Sequence, residues 1–143
     1  MTLPAQCVAT PVEISAVTIP VSPGELIDKI TILEIKAQRI QDPVKRDNVR
    51  RELSLLTETR DQTIPRSGAL ERLTADLRVV NERLWDIEDS VRTCERARDF
   101  GLAFIELARS VYRLNDRRAI IKRAISESLG SRLVDEKSYA AYT

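Results

Sequence analysis

Seven side chains combine charge, hydrogen-bonding capacity or an aromatic face with a position on or beside an apolar helical stripe: Glu34, Asn81, Trp85, Glu88, Asn115, Arg118 and Lys122. Arg118 is the sharpest of them. At about 100° per residue, Phe104, Leu107, Val111, Leu114, Ile121, Ile125 and Leu129 share one helix face. Arg118 falls near the middle of that face, with Asn115 and Lys122 on its shoulder. A guanidinium in a core needs a partner, since removing one member of a buried pair costs about 3–5 kcal/mol. The pattern therefore predicts that Arg118 bonds a carboxylate of another helix, Glu88 first and Glu34 second, because its planar fork can satisfy both carboxylate oxygens. Trp85, next to Glu88, is placed to stack on a guanidinium.

Such a cluster supports two kinds of chemistry. It can fix the register of packed helices, or it can bind a small molecule or a nucleotide phosphate between them. Two acidic pairs one helical turn apart, Glu25-x-x-Asp28 and Asp86-x-x-Asp89, resemble the magnesium-binding helices of all-α nucleotide pyrophosphohydrolases, where hard oxygen ligands suit Mg²⁺. Arg118 and Lys122 would then meet phosphates. However, about sixty residues separate the pairs, and Asp86 and Asp89 are predicted to face outward. The string Leu-Ile-Asp-Lys-Ile-Thr-Ile-Leu at 26–33 is superficially similar to the opening of helical chorismate mutases, but helix lengths and cation spacing differ. There is no histidine, which excludes His-based acid/base chemistry and His-containing zinc sites. No catalytic residue, metal ligand or cofactor is assigned. Arg109, Arg113, Arg117 and Arg123 line one surface, but Glu106, Asp116 and Glu127 interrupt it. With a net charge of +1 and no aromatic stacking platform, nucleic-acid binding is not expected.

The elements that must position these groups read as mainly α, an antiparallel bundle of about four helices with a short N-terminal β-strand. Residues 1–12, with Pro4, Cys7 and Pro11, read as a flexible leader, and residues 13–143 as a single domain. The β-branched run at 13–21 reads as an edge strand limited by Pro20, paired with the tail around 133–135 or with another subunit. Ser22, Pro23 and Glu25 open the first helix as cap, first position and capping-box partner. That helix is apolar on two sides: Leu26, Ile30, Leu33, Ala37 and Ile40 on one, Ile32 and Ile35 with Asp28 and Arg39 on the other. It is either central in its domain or shared with a neighbour, and the second option predicts a homo-oligomer. Asp42-Pro43 starts a second helix, to about residue 60, with Val49, Leu53 and Leu56 as a narrow seam. Residues 61–69 read as a loop. From Leu70 the residues Leu73, Leu77, Val80, Leu84, Ile87, Val91 and Cys94 alternate steps of three and four, a coiled-coil-like seam. Asp99 is a candidate cap for the last helix, and Gly130 a stop.

The strings at 20–36 (PVSPGELIDKITILEIK), 81–89, 104–112, 115–118 and 130–139 resemble an uncharacterised family of small bacterial proteins, a domain of unknown function. The resemblance covers about residues 20–139 and implies a small, mostly helical protein, with no activity to carry over. The absence of a signal-like or membrane-spanning run points to a cytoplasmic location. The expected function is a non-enzymatic interaction or assembly protein, self-associating through its first helix. The alternative is a small-molecule or phosphate-binding enzyme built on the seven residues above.

Overall fold

A computed structural model describes residues 15–143. The expected leader with Cys7, and the first two residues of the expected strand, lie outside the described residues. Four helices follow: α1 (Pro23–Arg39), α2 (Pro43–Thr63), α3 (Gly68–Ala97) and α4 (Leu102–Ser128). Their ends are set locally. The Ser22 hydroxyl accepts from the Glu25 amide, the Asp42 carboxylate from Lys45 and the Ser67 hydroxyl from Leu70, each satisfying an orphan first-turn donor. Gly130, at φ 65°, lets the Ser131 and Gly130 amides turn back onto the carbonyls of Ser126 and Glu127, the expected stop. Asp99 does not cap α4. Gly101 holds that position without a side-chain cap, and Asp99 accepts from the Gly101 amide in the preceding turn. The expected loop at 61–69 shrinks because α2 continues to Thr63 and Ser67 starts α3 early.

α1 packs on all three other helices, whereas α2 packs on α1 alone. Ile27 joins Leu70, Leu77 and Val80 of α3 and Ile121 and Ile125 of α4 in the main core. The other stripe of α1, Leu26, Ile30 and Leu33, is buried outside that cluster, where α2 brings its half-buried Val49, Leu53 and Leu56. Lys29 and Glu52 bridge the two helices at 2.9 Å. The two-sided apolar character of α1 is thus that of a central helix, and both sides are covered within one chain.

α3 and α4 form a hairpin along the expected seams, and burial falls along it. Leu70, Leu77, Val80, Ile121 and Ile125 are buried, while Ile87, Val91, Cys94, Phe104, Leu107 and Val111 are only half-buried. The change marks the end of α1, whose last residue, Arg39, pairs with Asp86 of α3.

Residues 15–21 form no strand, and no strand occurs among the described residues. Val17 and Ile19 are left 77% and 67% exposed. A β-branched alternation makes no ladder without a partner's backbone, and the tail does not supply one. Asp135 instead reaches Ser22 and Lys122, both at 3.4 Å.

Candidate functional site

Arg118 does meet a buried carboxylate, but it is Asp28 of α1 rather than Glu88 or Glu34. Its Nε donates to Asp28 Oδ1 at 2.9 Å and its Nη2 to Oδ2 at 2.5 Å, the bidentate geometry expected of arginine. Asp28 is 1% exposed. The Asn81 side chain of α3 donates to Asp28 Oδ1 and to Thr31 Oγ1, both at 2.9 Å, and Thr31 donates to the Asp28 carbonyl at 2.7 Å. Three helices therefore converge on one carboxylate. No buried side-chain polar atom among the described residues lacks a partner. The hydrogen bond to Asp28 raises the Arg118 pKa against the opposing effect of burial.

A second pair lies one turn away on each helix. Lys122 donates to Glu25 Oε2 at 2.5 Å. Burial lowers the Lys122 pKa, but the hydrogen bond and charge of Glu25, together with the charges of Asp28 and Asp135, outweigh it and leave the group raised. Glu25 thus serves α4, not the capping box expected of it. Below this pair α1 and α4 come unusually close. The Gly24 amide donates to the buried Ser126 hydroxyl at 3.0 Å, and a Cβ on Gly24 would sit 2.2 Å from the Lys122 carbonyl oxygen. Gly24, in the first turn of α1, is thus the contact point of two backbones.

The remaining candidates disperse. Glu34 accepts from Arg78 at 2.8 Å, and Arg78 also holds Glu82 at 3.2 Å. Glu88 pairs with Arg92 on its own helix, because it lies seven residues beyond Asn81, about 10 Å further along α3. Trp85 does take a guanidinium over its ring, that of Arg39 at 5.9 Å. Asn115 touches Arg118 Nη1 only at 3.5 Å. The two acidic pairs are not gathered into one site: Glu25 and Asp28 face α4 cations, and Asp86 faces Arg39. Among the described residues, no group of three or more His, Cys, Asp or Glu side chains is placed to hold a metal ion. No helix among them is long and apolar enough to cross a membrane.

Asn81, Trp85, Glu88 and Arg118 do share one feature, a cleft of about 480 Å³ between α1 and α3 that Arg118 reaches from α4. Sequence reasoning missed Asp28 as the partner of Arg118, and missed Thr31 and Ser126. A usable signal existed for the first: an acid on the Ile32–Ile35 line of α1 is the same anomaly as an arginine on the apolar face of α4. Spacing carried it too, since Glu25 and Asp28 match Lys122 and Arg118 when the helices run antiparallel.

A family model described as "Family of unknown function (DUF6165)" matches residues 17–143. No curated protein and no solved structure matches the chain.

Proposed function

We propose that this chain, which belongs to the DUF6165 family of unknown function, is a non-enzymatic assembly protein that works as a homo-oligomer. Its self-association element is the outer half of the α3–α4 hairpin rather than α1, whose apolar faces are covered inside one chain. One observation carries the reading: α1 ends at Arg39, beside Asp86, and among the described residues no other helix packs on α3 or α4. Residues 88–97 and 102–111 extend about 15 Å at 1.5 Å per residue. Two helices alone cannot enclose a seam. Val91, Cys94, Phe104 and Leu107 stay half-buried there, and Phe100, Leu102 and Ile105 are 51%, 86% and 49% exposed.

A second copy is the occupant that fits. Two hairpins related by a two-fold axis complete a four-helix layer. The charges suit that pairing. Residues 88–97 of α3 carry three acids and two arginines, and residues 102–113 of α4 carry two arginines and one acid. The acid-rich helix of one copy then faces the arginine-rich helix of the other.

Light scattering at micromolar concentration tests this. The wild-type chain is expected above its monomer mass of 16.2 kDa. Leu102→Glu with Ile105→Glu is expected to return it to that mass with its helical circular dichroism intact. A monomeric wild-type chain sinks the proposal.

A further inference from the structure

We infer that the cleft between α1 and α3 binds a small zwitterionic α-amino acid with an apolar side chain. Its volume of about 480 Å³ lies within the range of about 300–1,000 Å³ usual for small-molecule sites. Its ionisable lining decides the ligand's charge. Glu88 and Arg92 pair with each other, and Arg118 pairs with Asp28 beneath it. Lys36 of α1 and Asp89 of α3 also line the cleft; among the described residues neither side chain has an ion-pair or hydrogen-bond partner, and Asp89 acts only at longer range on Arg39, which Asp86 already holds. One unmatched cation and one unmatched carboxylate thus remain in the same space. A simple anion answers only the first, and a doubly charged phosphate exceeds it. A carboxylate and an ammonium on one carbon answer both.

Arg118 adds to the carboxylate side. Its Nε and Nη2 are taken by Asp28, but Nη1 has only the long contact to Asn115. The rest of the wall is apolar, with Ile32, Ile35, Leu84 and the Trp85 ring, which suits an aliphatic or aromatic side chain. The inference does not require self-association, although Glu88, Asp89 and Arg92 of the cleft lie in the outer half of the hairpin.

Trp85 is the only tryptophan of the chain, so its fluorescence reports on this cleft. The probe is L-phenylalanine, titrated to about 10 mM with excitation beyond its own absorption. Its truncated forms are 3-phenylpropionate, which lacks the ammonium, and 2-phenylethylamine, which lacks the carboxylate. A saturable change with L-phenylalanine is expected, with each truncated form at least about tenfold weaker. Lys36→Met should weaken L-phenylalanine by a similar factor, and Asp89→Asn should bring it level with 3-phenylpropionate. Neither position has an ion-pair or hydrogen-bond partner among the described residues, so the variants are expected to keep the wild-type circular dichroism. The inference is overturned by no saturation with L-phenylalanine, by 3-phenylpropionate binding the wild-type chain equally well, or by unchanged binding in Lys36→Met.

Discussion

Two arginine–carboxylate pairs, Asp28–Arg118 and Glu88–Arg92, sit in the two halves of the α3–α4 hairpin, and their surroundings are opposite. In the half covered by α1, the Asp28 side chain is 1% exposed and that of Arg118 28%. That pair joins residues from different helices, with Asn81 donating to the carboxylate and to the Thr31 hydroxyl, which in turn donates to the Asp28 backbone carbonyl. In the uncovered half, the Glu88 and Arg92 side chains are 57% and 69% exposed, and the pair lies within one helix at i,i+4. The same chemistry therefore does different work. The exposed pair is screened by water and adds little. The buried one sets where α1 sits along α3 and α4, since sliding α1 by one turn would bury Asp28 and strand Arg118 without partners. Its value lies in specificity more than in net stability, because well-packed apolar replacements of both partners can be as stable as the pair.

The largest expected effect breaks this comparison at its buried side. Asp28→Leu should cost about 3–5 kcal/mol in urea unfolding, as it leaves the partly buried guanidinium and the buried Asn81 amide without their carboxylate, while Glu88→Leu should cost no more than about 1 kcal/mol. Adding Arg118→Met to Asp28→Leu should recover most of the loss. Equal costs for the two acids would remove the distinction between the halves.

A smaller effect is expected at Gly24. Alanine there must displace the Lys122 carbonyl, which is backbone, and should destabilise by about 1–3 kcal/mol. Gly68→Ala at the start of α3 is the matched control. Its nearest neighbour is the flexible end of Arg72 at 3.6 Å, and no loss is expected in thermal unfolding.

The smallest effect concerns pH. Glu25 raises the folded-state pKa of Lys122, so the stability this pair contributes is complete below the unfolded value of about 10.4. It is lost as pH rises through the higher folded value. Unfolding followed from pH 9 upward should show that decline in the wild-type chain and a flatter profile in Lys122→Met. A steeper profile in the variant would reverse the sign and discard the pair as a contributor.

Much of the fold was legible residue by residue. All eight residues of the α3 seam, Leu70 to Cys94, are buried or half-buried, as are the α4 residues that share a face with Arg118. Arg118 was legible as an arginine needing a carboxylate. Which carboxylate was not, because periodicity gives a residue's direction around its helix but not its height against a neighbouring one. Glu88 points toward the right side of α3 about 10 Å too far along it, and Glu34 meets Arg78 before it can reach α4. The strand reading failed for a related reason: the residue pattern at 13–21 described a backbone suited to pairing, and pairing is decided by what else passes there.

The amino-acid sequence by itself determined four amphipathic helices, the starts at Ser22 and Asp42, the stop at Gly130, and the presence of charge on faces turned inward. These follow from interactions within a few residues of each position. Tertiary structure alone decided that α1 is central, that Asp28 and not Glu88 answers Arg118, that Gly24 is where two backbones meet, and that no third helix among the described residues follows the hairpin past the end of α1. Those facts join residues up to about a hundred positions apart, and the relative heights at which packed helices settle are a property of the whole core.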